Sequence, residues 1–581
     1  MTGEDRVYGR ARHHGCAAPR LLLRSDRAPI GNRERWPLSS VAQSAHAGTA
    51  PTPAAAPASI PWLGIGAVLI GVSISVLTGQ LLSTGLADVR GAMHLSVDQG
   101  AWLGAVFNAG QMFTGPMTVY LGGLMGPRRV LLWATPLVFL GSMLAPFAPG
   151  VGWLLALTAI TGLGAGSFYP LTLTFVGRSL PPRYVLFGVA AYAFDVLASL
   201  HVGSFLEGLY MQYLSWHCIF WTASVLSPLM WMLVYFGMPP TTAPGIEQAR
   251  LRPTWSGFVY ASGAFVCFFL LLTQGERLDW FHSGTIVGLA AGGVLLLFAS
   301  WLRHVLRPNP LVNLRFLFRR NIVLLSGCLC GLRFSLLSSA LLVPDFLGGV
   351  RSLLPLQAGV VLAWVGIPAL LAALLVSRLL LRVDPRLVLA TGFTLTASAC
   401  LWNATLSSEW SRGNFFPGEL TIAIGAATTV CGLIGCIVLE LVNSGAAKDP
   451  IKTLTMVAWF HTVRLFGGQL MTTLLTHLLT VREKFHSNIL GQSVSLGSPL
   501  VRTQVGAMSH MLLPASPGSQ AALGRAGALL GGRVHTQALT LSIADGYTTE
   551  ALGLIVCLVL IACLGRERLQ FRDLAASRGA A

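Results

Sequence analysis

The run from Tyr192 to Leu209, YAFDVLASLHVGSFLEGL, sets two carboxylates and an imidazole into a stretch otherwise built of hydrocarbon and small residues. A carboxyl group in such surroundings exchanges a proton more readily than it holds a bare charge. Asp195 stands halfway along the run, and on a helix Tyr192 and Ser199 would share its face and offer hydroxyls to it. It is the leading candidate for proton coupling; the plainer alternative is an ion pair with a buried cation. His201 is either a titrating group or a packed hydrogen-bond donor. Glu207, near the end of the run, divides between a cavity and the membrane interface. Two cations also fall in apolar runs, Arg333 in CGLRFSLL and Arg464 in FHTVRLFGG, so both must face protein or water. Arg333 is a candidate for attracting an anionic substrate. Arg464, close to Gly467 and Gly468, suits a structural ion pair between closely packed helices.

The elements that would carry these residues follow from composition. A chain of 581 residues that is 54% hydrophobic and only 10% charged, with a mean hydropathy of +0.67, is too apolar for a water-soluble protein. A spanning helix needs ~20 mostly apolar residues. Fourteen such runs can be placed, at 60–82, 101–124, 130–149, 152–176, 185–209, 217–237, 256–274, 284–303, 322–344, 355–377, 386–406, 417–441, 455–479 and 548–565. The fold class is therefore an all-α integral membrane protein. Residues 1–59, rich in Arg, Ala, Pro and Ser, read as a disordered basic cytoplasmic extension or as a start placed too far upstream. Residues 480–547 read as an outer loop with helix-capable pieces.

Charge orients the chain. With the N-terminus inside, 28 of the 39 Lys and Arg residues fall on the cytoplasmic side and nine outside, which puts both termini in the cytoplasm. The net charge of +17 is then a consequence of topology, and no nucleic-acid partner is called for. Nine of the ten cysteines sit in apolar runs and Cys16 in the N-terminal extension, so no disulfide framework is expected. CLC at 328–330 lacks a second ligand pair and HHGC at 13–16 lies in the tail, so no metal and no other cofactor is expected. No G-x-x-x-x-G-K-[ST] motif is present, which argues against an ATP-driven pump. No nucleophile and base constellation suggests an enzyme.

Several stretches, taken in order, carry a family likeness. They are LTGQLLSTGLADV, DQGAWLGAVFNAGQMFTGP, VYLGGLMGPRRVLLW, GLGAGSFYPLTLTFVGRSLPPR, SWHCIFW, PLVNLRFLFRRN, VRLFGGQLMTTLLTHLLTVREKFH and VHTQALTLSIADGY. From about 77 to 565 the chain resembles the fourteen-helix branch of the major facilitator superfamily, the drug:proton antiporter-2 type. The resemblance implies two six-helix bundles, at 60–237 and 304–565, with two additional helices and a linker at 238–303 and a cytoplasmic tail at 566–581. It implies a cytoplasmic gating loop around Gly126, Arg128 and Arg129, whose simpler role is to anchor topology. The sequence departs from the family where an Asp of the first helix is replaced by Thr78, an Arg of the fourth by Thr158, and a charged loop residue by Leu124.

The resemblance implies a secondary transporter in the bacterial inner membrane, with a small molecule and a proton as its ligands and the lipid bilayer as its surroundings. Proton-driven efflux of amphipathic, aromatic or weakly acidic compounds is the leading expectation. A periplasmic adaptor and outer-membrane channel are partners implied for the 480–547 region. The alternative is an uncoupled facilitator, or a scaffold or sensor, that has lost the coupling residues.

Overall fold

The computed structural model describes residues 62–180, 182–239, 255–306, 314–495, 497–565 and 571, all within one compact unit, Ile60–Ala581. The expectations for 1–59 and for nearly all of 566–581 lie outside the described residues. Among the described residues there is helix and no strand.

The long helices are α1 (Trp62–Thr84), α2 (Val97–Met125), α3 (Pro127–Leu144), α4 (Val151–Ala165, resuming as Phe168–Ser179), α5 (Pro182–Tyr213), α6 (Cys218–Gly237) and α7 (Trp255–Gly275). They continue as α8 (Gly284–Leu306), α9 (Arg320–Ser335, followed by two π-helical turns), α10 (Pro355–Ala363, resuming as Gly366–Leu379), α11 (Pro385–Asn403), α12 (Arg412–Asn443), α13 (Pro450–Ser493) and α14 (Ser519–Ala562). Eleven helical runs among the described residues are long and apolar enough to cross a membrane. The other three long helices, α2, α11 and α13, fall outside that set.

Local chemistry sets the ends and the breaks. Ser96 starts α2 with a capping box shared with Gln99. Gly126, at φ 84°, stops α2, and Pro127 starts α3 at once; a side chain at that φ would be strained. Asp384 before Pro385 and Asp449 before Pro450 cap α11 and α13 through the peptide N–H groups of Arg386, Ile451 and Lys452. A proline ring collides with the carbonyl four residues earlier, and the interior breaks obey that spacing. Pro170 follows the break at Gly166 in α4, Pro368 follows the break at Trp364 in α10, and Pro344 follows Ala340 inside the π turn Ser338–Leu342.

Two cores form. One joins α1 to α6 around Phe107, Leu131, Phe168 and Met230. The other joins α9 to α14 and also takes in Leu186 to Leu197 of α5. The α5 helix therefore belongs to both halves, and its C-terminal end meets α10 closely: a Cβ on Gly208 would stand against the Leu356 backbone, and one on Gly359 2.6 Å from the Cα of Phe205. The α7 helix packs beside α2 and α13. It is tied there by Gln274 to the Ala101 carbonyl at 3.0 Å, by the Arg277–Asp98 ion pair, and by Glu276 to His477 at 2.6 Å. Partial burial opposes the charge of Glu276, but hydrogen bonds from His477 and Trp280 outweigh it and lower its pKa.

The expected outer loop 480–547 is mostly helix. The α13 helix runs on past residue 480 to Ser493, a further helix spans Pro499–Leu512, and α14 begins at Ser519. Asp545 accepts from Arg482 at 2.6 Å and from His486 at 2.7 Å, and His535 meets Glu483 at 3.0 Å. These pairs join α13 to α14 beyond the apolar stretch.

Candidate functional site

The Asp195 carboxyl group is met by Ser73 of α1, whose hydroxyl donates to it at 2.5 Å. Ser199, one turn on, is its second hydroxyl neighbour. The remaining oxygen, Oδ2, is buried and has no hydrogen-bond partner. Tyr192, expected to supply a hydroxyl, instead lays its buried ring edge-on to Tyr169 of α4, with centroids 5.2 Å apart, and its own OH is unpaired.

The same tyrosine pair receives α13. The Arg464 guanidinium stands 3.5 Å from the Tyr169 ring centroid, and His461, on the same face of α13, lies 6.0 Å from that ring. The structural ion pair expected for Arg464 does not form: its Nε and Nη2 make no hydrogen bond, and among the described residues it pairs with no acid. Asp195 is already engaged by Ser73, and the negative face of the Tyr169 ring takes the charge instead. Asp195 likewise pairs with neither Arg333 nor Arg464. Arg333 of α9 feels the charge of Arg464, and its buried Nε also lacks a partner. Gly468 of α13 makes room for it, since a Cβ there would stand 2.7 Å from that Nε.

One carboxyl group, two guanidinium groups, two tyrosines and an imidazole thus converge where α1, α4 and α5 of one half face α9 and α13 of the other. All of them but Tyr169 carry a buried polar atom without a hydrogen-bond partner, as expected of a place that receives a ligand. Of the residues singled out in the sequence, Asp195, Tyr192, Arg333 and Arg464 come together here. His201 does not: it is buried farther along α5, with Nδ1 2.7 Å from the Leu197 carbonyl. Glu207 is fully buried near the C-terminal end of α5, against Gly85 and next to Asp88. Ser73, Tyr169 and His461 were missed; the signal available was a polar residue in an apolar helix, Tyr169 and His461 standing inside stretches quoted for other reasons.

The charged positions absent from the sequence are closed off. Thr78 and Thr158 are buried and return their hydroxyls to their own helices, at the Ile74 and Leu154 carbonyls. At the α2–α3 turn, Arg128 donates to the Tyr235 carbonyl at 2.7 Å and sits over that tyrosine's ring, while Arg129 is exposed.

Comparison with known proteins identifies the scaffold. The sequence profile described as Major Facilitator Superfamily matches residues 63–468. The chain belongs to the Major Facilitator Superfamily. It is similar to the multidrug export protein EmrB of Haemophilus influenzae, with 23% identity over 499 residues, 85% of this chain and 94% of the relative. It resembles EmrB of Escherichia coli at 23% over 74% of this chain and 83% of the relative. It also resembles the fatty acid resistance protein FarB of Neisseria gonorrhoeae at 23% over 64% of this chain and 72% of the relative. As a Major Facilitator Superfamily member the chain is a transporter and not an enzyme, a multi-pass protein of the bacterial inner membrane.

Proposed function

We propose that this protein is a proton-driven exporter of amphipathic small molecules, with Asp195 as the group that takes up and releases the proton. The observation that carries the reading is the Asp195 carboxyl group itself. One oxygen is held by Ser73, the other is buried without a partner, and both lie on the helix shared by the two cores. A residue so placed can be protonated from one side and deprotonated from the other as the halves rock. The unpaired edges of Arg333 and Arg464 favour substrates that carry a carboxylate or other anion beside an aromatic or aliphatic body. Relatives described as multidrug export and fatty acid resistance proteins fit that chemistry.

In this reading the fourteen long helices span the membrane as bundles 60–237 and 304–565 with the added pair between them, and both termini are cytoplasmic. Arg128 and Arg129 with Gly126 would form the cytoplasmic gating loop. The outer helical projection would meet a periplasmic adaptor and, through it, an outer-membrane channel. Thr78 and Thr158, self-satisfied where the family carries charge, favour a second reading as an uncoupled facilitator.

Flux of a fluorescent weak acid from vesicles with an imposed pH gradient tests the proposal. Gradient-driven flux in the wild type, reduced about tenfold or more in Asp195→Asn, is expected from loss of a group essential to the cycle. Flux indifferent to both gradient and substitution would establish the facilitator instead. Binding without flux would leave a sensor or scaffold.

A further inference from the structure

The C-terminal core contains a second carboxyl cluster, distant in sequence from Asp195 and unused by the reading above. Glu419 of α12 and Glu550 of α14 are both fully buried, as are Asn403 of α11 and Tyr547, one turn before Glu550. One oxygen of Glu419 accepts from the Ser339 hydroxyl at 2.6 Å. One oxygen of Glu550 accepts from the Ser338 peptide N–H at 3.1 Å. The other oxygen of each acid, both amide atoms of Asn403 and the Tyr547 hydroxyl complete no hydrogen bond.

These groups face one another. Tyr547 feels Glu419, Glu550 and Cys400, with Asn403 beside its hydroxyl. Glu550 lies beside Cys400 and Glu419. A Cβ on Gly418 would collide with the Asn403 amide, so that amide is wedged against α12 next to Glu419. Cys400 and Tyr547 are the titratable neighbours, and no cationic side chain from α9, α11, α12 or α14 faces the pair among the described residues.

Two ionised carboxylates here would be uncompensated, mutually repelling charges away from the surface. They would also be acceptors only, set among too few donors. A proton on a carboxyl oxygen forms one O–H bond, removes one charge and supplies the missing donor.

We propose that Glu419 and Glu550 form a proton-binding site in the C-terminal half, separate from Asp195, with at least one of the two acids protonated in this conformation. Its occupancy is tied to the shape of α9. Both donors to the pair, Ser338 and Ser339, lie in the π turn Ser338–Leu342, so the acids hold the helix at its interruption. Arg333 is five residues earlier on the same helix, a rise of roughly 7.5 Å. One element thus joins this site to the cluster around Tyr169.

Infrared difference spectra of the full-length protein in lipid nanodiscs test the assignment without any transport, so the result is independent of the efflux reading. The wild type minus Glu550→Gln or minus Glu419→Gln spectrum should show loss of a protonated-carboxyl band at neutral pH, with helicity retained by circular dichroism. That band should persist in Asp195→Asn. If a glutamine variant does not fold, Tyr547→Phe keeps both acids and should shift the band's frequency by removing the polar hydroxyl that faces the pair. Absence of the band from both glutamine differences would mean that the pair is ionised, and an unmoved band in the tyrosine variant would mean that the protonated carboxyl group lies elsewhere; either result overturns the proposal. Loss of the wild-type band on exchanging potassium for sodium would also overturn it, by showing that a metal ion occupies the pair.

Discussion

Among the described residues Arg464 is held by an aromatic face and by no acid, which leaves its charge uncancelled. Such a guanidinium can stack on a ring and still present its planar N–H edge to an anion, which an ammonium group cannot do. Arg464→Lys should therefore weaken binding of an anionic substrate by about tenfold, equivalent to ~1.4 kcal/mol. A neutral analogue of the same shape should change much less, and fluorescence titration of both ligands reads the difference. Equal weakening of both would make Arg464 a packing residue. The sequence made the charged members of this site visible, because Asp195, Arg333 and Arg464 stand out in apolar runs. It left Tyr169 and His461 hidden, since an aromatic or a lone histidine in a membrane helix is ordinary until another helix brings it a partner. The pairing of Ser73 with Asp195 joins residues 122 apart in sequence and leaves no local pattern.

Helix contacts are set by missing side chains as much as by those present. In the N-terminal half, α2 and α4 approach so closely that a Cβ on Gly162 would overlap the Phe107 carbonyl, and one on Gly110 would lie 2.8 Å from the Leu163 nitrogen. Gly162→Ala must therefore push two backbones apart, at a cost of about 1–3 kcal/mol typical of overpacking. The expected result is a lower melting temperature for the purified protein. Gly66→Ala, where a Cβ meets open space, should be neutral or stabilising by up to ~1 kcal/mol, since alanine is the better helix former. Equal melting of the two variants would remove close α2–α4 packing as a stabilising feature. The long helices were legible because hydrophobic length is a local property, and the proline-linked breaks follow from ring geometry four residues away. The helical character of 480–547 was only partly legible. Its ordering rests on pairs such as Arg482 with Asp545, 63 residues apart, and on packing between α13 and α14, which no local window reports.

At the scale of the whole molecule, α5 is the pivot: Leu186, Val189, Ala190, Ala193 and Leu197 lie in the C-terminal core, while Tyr192 and Val196 pack with Val72 and Tyr169 of the N-terminal half. Close contacts of Gly208 with Leu356 and Gly359 with Phe205 place the two halves together at the end of α5 that carries Glu207. In the proposed topology the arginine-rich turns lie inside, as the positive-inside rule expects, and the long projection of α13 and α14 lies outside. That orientation makes a labelling prediction along a single helix system. Leu500, 78% exposed in the helix between α13 and α14, and Cys563, exposed just past the end of α14, should lie on opposite faces of the membrane. With the remaining cysteines replaced by serine, a membrane-impermeant maleimide added to spheroplasts should label Leu500→Cys at once and Cys563 only after permeabilisation. Labelling of both from outside would place the two ends of α14 on one side, and the inside location of the arginine-rich turns would fall with it.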